Sequence, residues 1–186
     1  MKRHSRGFCA ASAILLDVCL VGTLAAAVQG GVAPVKKLES LTEKDGVKPG
    51  ESLKIAVRVT LDRSFHVNSH VPSAEYLIPT SLEILSADGL RPGEWEFPPG
   101  ETRTFPFSET PLSVYEGSFL IRGVLSVPQD TPPSQKEIRA SLRYQACTTE
   151  RCYPPRKEEF VIPVKVVSAD SSTQPLHPEI FRAPAP

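Results

Sequence analysis

Apolar and polar residues alternate with a period of two over much of the chain. Leu53, Ile55, Val57 and Val59 are separated by Lys54, Ala56 and Arg58, the pattern of a strand with one face in a core and the other toward water. Phe119, Ile121, Leu125 and Val127 likewise share one face of a stretch that begins at Ser118, with Gly123 on that face marking a bulge or a point of close packing. Ile138, Ala140, Leu142, Tyr144 and Ala146 alternate with Glu137, Arg139, Ser141, Arg143 and Gln145, and Phe160, Ile162, Val164 and Val166 close the series. Shorter strands are predicted at residues 64–68 and 81–85, and Pro72 and Pro79 keep the stretch between them out of any central strand. Farther on, Pro92, Pro98, Pro99, Pro106 and Pro111 with Gly93 and Gly100 predict loops around short edge strands near residues 94–97 and 102–107.

No stretch sustains a helical period, and no segment repeats another. Short strands punctuated by turn signals predict an all-β chain, an immunoglobulin-like antiparallel β-sandwich without the inter-sheet disulfide usual in that class. The sandwich is assigned to residues 47–168, after a polar lead-in at 28–46. A Pro-rich tail at 169–186 holds Pro175, Pro178, Pro184 and Pro186 and few apolar residues, which predicts a flexible segment outside the core. Proline, at 19 of 186 residues, is about twice its average usage of ~5% and supports turns over long helices.

The first 27 residues read as an export signal. Lys2, Arg3 and Arg6 precede an apolar run that ends in Ala25, Ala26 and Ala27, and cleavage is expected after Ala27. Asp17 interrupts the run; a carboxylate at the centre of a spanning helix costs roughly 2.5–3.5 kcal/mol on insertion scales, which suits a removed signal better than a permanent anchor. The chain is therefore expected in the periplasm or otherwise exported, with a membrane-anchored form as the alternative. Basic and acidic residues balance at 21 each, so no charge excess points to nucleic acid. Removal of the signal leaves a small acidic excess of about two charges. It also removes Cys9 and Cys19, so the exported form carries one cysteine pair, Cys147 and Cys152, in a compartment where disulfides persist.

The polar, odd-numbered face of the strand that ends at Ala146 continues to Cys147, which predicts an outward sulfur within reach of solvent. Cys152 follows after Thr148-Thr149-Glu150-Arg151, and Tyr153-Pro154-Pro155 stiffens the exit, so the two sulfurs fall on opposite sides of one hairpin-like loop. Two readings compete. As a structural staple, a bond across so small a loop contributes only about 2 kcal/mol in the chain-entropy model, against about 4.7 for a 100-residue loop. As an exchanging bond, a tight surface loop leaves it open to an attacking thiolate. Arg151 favours a thiolate at Cys152 and Glu150 opposes it. His66 and His70 with the cysteines offer four metal ligands on paper. One histidine on a strand and one in the following loop lack the fixed spacing that a helix gives, however, so no metal or other cofactor is assigned. Neither a Gly-x-Ser-x-Gly elbow nor a phosphate-cradling glycine loop occurs, and no small-molecule substrate is expected.

The run Tyr144-Gln145-Ala146-Cys147-Thr148-Thr149-Glu150-Arg151-Cys152-Tyr153-Pro154-Pro155 resembles the redox loop of the amino-terminal, periplasmic domain of the DsbD family of thiol:disulfide interchange proteins. Phe65-His66-Val67-Asn68-Ser69 followed by Leu77-Ile78-Pro79-Thr80, and Ser113-Val114-Tyr115-Glu116-Gly117, agree with the same family. The similarity runs from about Val47 to Val167. It implies an immunoglobulin-like fold, a redox-active Cys147–Cys152 disulfide, and electron passage between a thioredoxin-like donor and periplasmic acceptor proteins, a protein-disulfide reductase type of activity. It also implies that Cys152 forms mixed disulfides and Cys147 resolves them. His66, Asn68, Tyr144 and Tyr153 would line the site, beneath a cap whose shielding ring is Phe105 or Phe107. Full-length family members continue into a membrane-embedded electron-transfer domain and a thioredoxin domain. For this chain the expected partners, thioredoxin-like proteins and a membrane electron carrier, are therefore supplied by other chains. The alternative from another class is a non-catalytic immunoglobulin-like binding or assembly module whose disulfide stiffens a loop.

Overall fold

The computed structural model describes residues 33–182; the predicted export signal, with Cys9 and Cys19, lies outside the described residues. In chain order the strands are β1 (Val35–Thr42), β2 (Ser52–Leu61), β3 (His66–Asn68), β4 (Ser81–Ser86), β5 (Arg91–Glu96), β6 (Glu101–Arg103), β7 (Leu112–Glu116), β8 (Ser118–Ser126), β9 (Ser134–Tyr144), β10 (Ala146–Cys147) and β11 (Arg156–Val166), followed by the short helix α1 (Pro178–Phe181). They form three antiparallel sheets, ordered β1-β2-β8-β5, β11-β9-β4 and β10-β3-β7-β6. The architecture is the immunoglobulin-like β-sandwich that the alternation predicts. Among the described residues no helix is long and apolar enough to cross a membrane.

The first two sheets face each other. Leu53, Ile55, Val57 and Val59 of β2 and Ile121 and Leu125 of β8 meet Ile138 and Leu142 of β9 and Ile162 and Val164 of β11 in one continuous core. These are the apolar positions that the period of two singles out, and the period holds because each of these strands turns one face to that core. Gly123 of β8 sits opposite Trp95 of β5. A Cβ there would come within 2.8 Å of the indole ring, so the glycine is a seat for the tryptophan, and the register shift lies across from it between Pro92 and Trp95.

Two segments differ from the sequence expectation. The polar lead-in contains β1, an edge strand paired with β2 from Thr42↔Ile55 to Val35↔Leu61. Its charged Lys36, Lys37 and Glu39 and its single partner strand disguise it as a lead-in. The tail expected to remain outside the core is tied down between Gln174 and Phe181. The Leu176 N–H donates to the Glu43 carbonyl at 2.7 Å and the Gln174 N–H to the Asp45 carboxylate at 2.8 Å. Ile180 of α1 then covers Leu41 and Ala56 on the outer face of the first sheet, with Leu120 and Phe181 beside them. Ala56 and Leu120 leave an apolar spot on a face that otherwise carries Lys54 and Arg58, and Ile180 with Phe181 closes it.

Candidate functional site

The third sheet is built largely from continuations of strands in the other two. β2 turns through residues 62–65 into β3, β9 passes through Gln145 into β10, and β7 passes into β8 at Gly117, whose φ of 61° is a left-handed conformation that glycine adopts without strain. Alternation carries across these junctions. Val67, Tyr115 and Ala146 therefore join the main core, while His66, Asn68, Leu112, Val114 and Cys147 lie on the opposite face. In register, Cys147 pairs with His66, His66 with Glu116, and Asn68 with Val114.

That opposite face is roofed. The loop joining β6 to β7 contains a turn closed by the Ser108 N–H on the Phe105 carbonyl at 3.1 Å, with Pro106 in the second position, where its fixed φ suits the turn. Phe105 packs against Leu112, Val114 and Leu77 in a small cluster separate from the main core. Its ring stacks on the His66 imidazole, centroids 3.9 Å apart and planes within 12°. Phe107 continues the stack 5.4 Å from Phe105 and is 37% exposed. Both phenylalanines thus belong to the roof, Phe105 as its buried inner ring and Phe107 as its outer one.

Cys147 and Cys152 form a disulfide. Their loop is a tight hairpin: the Thr148 N–H donates to the Arg151 carbonyl and the Tyr153 N–H to the Ala146 carbonyl, both at 2.9 Å, which ladders the backbone on either side of the bond. The two sulfurs have opposite surroundings. Cys147 is 0% exposed, which corrects the expectation of a reachable Cys147; Cys152 is the exposed one. The predicted face is right and the predicted exposure is not: Cys147 is paired with His66, whose ring Phe105 covers, and none of it reaches water. Cys152 opens into a groove of about 500 Å³ walled by Tyr76, Leu77, Phe107, Leu112 and Gln145.

The polar residues on the roofed face are incompletely paired. Burial holds the His66 imidazole well below its ordinary range, down to about 4, so it is neutral at neutral pH, and its Nε2 has no hydrogen-bond partner. The Asn68 amide donates to the Ile78 carbonyl at 3.0 Å and the Gln145 side-chain oxygen at 3.2 Å, pinning the 70–79 loop to β3, while its own oxygen is unpaired.

Other predicted residues fall elsewhere. Tyr144 faces the main core, away from the roof, with its hydroxyl donating to Glu158 at 3.0 Å; burial, then that carboxylate, hold its phenol above the usual range. Tyr153 stands at the loop exit, edge-on to Phe65 at 5.7 Å, with the Arg151 guanidinium over its ring at 5.1 Å. His70 belongs to a separate stack with Phe97, centroids 4.0 Å apart, and its Nδ1 meets the Thr80 carbonyl at 3.0 Å. The structure therefore divides the His-x3-His pair between two aromatic stacks, and among the described residues no three metal-ligating side chains converge. Sequence reasoning did not single out Tyr76, Leu112 or Gln145. Leu112 and Val114 do alternate, but Pro106 and Pro111 mask the strand that carries them.

Residues 39–163 match the family described as the N-terminal domain of the thiol:disulfide interchange protein DsbD. Among solved structures the chain is similar to the reduced N-terminal domain of Neisseria meningitidis DsbD, at 18% identity over 76% of this chain and 90% of that one, with a TM-score of 0.44. The N-terminal periplasmic domain of Proteus mirabilis ScsB is similar at 11% identity over 69% of this chain and 45% of that one, with a TM-score of 0.45. A structure of the complex between the DsbD and PilB N-terminal domains of N. meningitidis matches at 20% identity, 66% and 80% coverage and a TM-score of 0.38. No curated protein sequence matches the chain. Since the family match spans more than half of the chain and takes in the whole of the roofed disulfide, the chain belongs to the family of DsbD N-terminal domains.

Proposed function

We propose that this chain is a periplasmic thiol–disulfide exchange protein that passes electrons from a thioredoxin-like donor to acceptor proteins through the Cys147–Cys152 bond. The observation that carries this reading is the asymmetry of the two sulfurs: Cys152 is exposed in a groove that mixes Tyr76, Leu77 and Phe107 with Glu109 and Gln145, and Cys147 is buried beside it. A donor thiolate attacks Sγ of Cys152, the Cys147–Cys152 bond breaks, and Cys147 leaves as a thiolate and is protonated. The donor's second thiol then resolves the mixed disulfide, releasing oxidised donor and the dithiol form of this chain. In the second half Cys152 attacks an acceptor disulfide and Cys147 resolves that mixed disulfide, so two electrons and two protons pass on and the bond re-forms. The electrons reach the donor from a membrane carrier, and specificity comes from docking around the groove. Membership of the family supports this reading, as does the short loop, which adds little as a staple.

The test is trapping. A Cys147→Ala variant, left with Cys152 alone, accumulates mixed disulfides with thioredoxin-fold partners in periplasmic extract, and Cys152→Ala accumulates none. Absence of any mixed disulfide in the first variant overturns the proposal. Reduction potential separates exchange from the loop-stiffening alternative, since a structural bond in an exported protein lies below roughly −300 mV and an exchanging one is less negative.

A further inference from the structure

We infer that His66 is the proton partner of Cys147: once the disulfide opens, its Nε2 takes the hydrogen bond of the Cys147 thiol, and it accepts that proton as Cys147 attacks the mixed disulfide on Cys152. This assignment rests on the exchange reading and adds a role within the same site.

Three observations place the two groups together and leave them with unmet needs. Cys147 and His66 are directly paired residues of β10 and β3, so their side chains share a face with Cβ atoms about 4.5–5.5 Å apart. Four buried side-chain polar atoms among the described residues lack a hydrogen-bond partner, and two of them, His66 Nε2 and Asn68 Oδ1, are neighbours on that face of β3. A disulfide carries no hydrogen to donate to an acceptor nitrogen or oxygen; a thiol carries one. Opening the bond therefore supplies the donor that the imidazole lacks, while the stack on Phe105 holds the ring in place.

The charged groups around the ring fit a neutral imidazole in the oxidised protein. Glu116, the residue paired with His66 on β7, is taken up by Arg103 of β6, its carboxylate 3.2 Å from Nε, and Arg103 also pairs with Glu101. Cys147 and the roof rings of Phe105 and Phe107 complete the surroundings from β10 and the β6–β7 loop. Burial keeps the imidazole uncharged until a thiolate forms next to it, and that thiolate is the missing counter-charge. In the resolving step the Cys147 proton moves to Nε2 and the thiolate attacks Sγ of Cys152. The bond from Cys152 to the partner sulfur breaks, and the leaving partner thiolate takes the proton from the imidazolium. His66 ends neutral, and the proton has passed from Cys147 to the partner.

A small aromatic disulfide that releases thionitrobenzoate reads this without any protein partner. Reduced protein captures the reagent at the exposed Cys152 with a first release, and Cys147 expels the second thionitrobenzoate as it resolves. His66→Phe keeps a ring to stack on Phe105 and removes both nitrogens. It is expected to leave the first release unchanged and to slow the second about tenfold at neutral pH, the loss of thiolate population that follows from a rise of one pKa unit at Cys147. The pH profile of the second release moves upward with it. An unaltered second release and pH profile in His66→Phe overturns the inference. If that variant does not fold, the Cys152→Ser protein decides: the imidazole signal in NMR and the ultraviolet absorbance of the Cys147 thiolate are expected to share one titration step, and two unrelated steps overturn the inference. Failure of partner trapping with a slowed second release would sink the exchange reading and keep the proton partner; the reverse result would do the opposite.

Discussion

The two faces of the third sheet come from the same short strands and meet opposite environments. On the inner face Val67, Tyr115 and Ala146 enter an aliphatic core enclosed by two full sheets. On the outer face His66, Asn68 and Cys147 lie beneath the loop that carries Phe105 and the neighbouring 70–79 loop, with Phe105, Leu77, Leu112 and Val114 as apolar company. One alternation pattern thus makes a permanent interior on one side and, on the other, an interior covered by a lid. Local opening requires few buried apolar contacts, so the outer face is the one that can be uncovered while the sandwich stays folded. It is also the face that retains polar atoms without partners.

The comparison is sharpest where the core is cut. Ile138 faces its partner Ile162 across β9 and β11, both fully buried. Ile138→Ala is expected to destabilise by about 4 kcal/mol in urea unfolding, with no change in the rate at which dithiothreitol reduces the disulfide of the remaining folded protein. An altered reduction rate would mean that core and roof are not independent.

Acid probes the roofed face next. The folded protein holds His66 near 4, whereas an unfolded histidine titrates near 6.5. The unfolded chain therefore binds the extra proton first, and stability falls as pH drops from about 6.5 to about 4, by up to roughly 3 kcal/mol, with no further loss from this group below that. His66→Phe is expected to flatten the slope in that window. A slope that survives the substitution assigns the acid sensitivity to other groups.

Phe105→Ala uncovers the site directly. Its ring belongs to the small cluster, so the expected loss is about 2 kcal/mol, smaller than in the core, while reduction of the disulfide by dithiothreitol accelerates. No acceleration would mean that Phe105 does not shield the bond. Phe107, more than a third exposed, gives the smallest effect: Phe107→Ala changes stability within about 0.5 kcal/mol and accelerates reduction less than Phe105→Ala does.

Much of the fold is legible in the chain because β2, β8, β9 and β11 each turn one face to the core, and a period of two is visible wherever that holds. β1 escapes because an edge strand with Lys36, Lys37 and Glu39 presents too little apolar contrast. The docked α1 escapes because its anchoring rests on Ile180 and Phe181 meeting an apolar spot on a sheet far away in sequence. At the site, the cysteine pair and its short loop are read from residues, whereas His66 and Asn68 enter through the family resemblance. Tyr144 is misassigned to the lining because its place in the loop motif does not reveal that its side chain turns to the core.

The amino-acid sequence by itself determines which side of each strand a residue occupies, and it brings Cys147 and Cys152 close enough to join. It does not determine what lies above that side. The roof over His66, the strand partner of Cys147, comes from residues around Phe105, some forty positions earlier in the chain than the cysteine, and only tertiary folding lays them across β3. Alternation is a local property of a strand, whereas exposure is a property of everything packed against it. For that reason the identity of the exposed sulfur, and the meeting of His66 with Cys147, were decided by the fold.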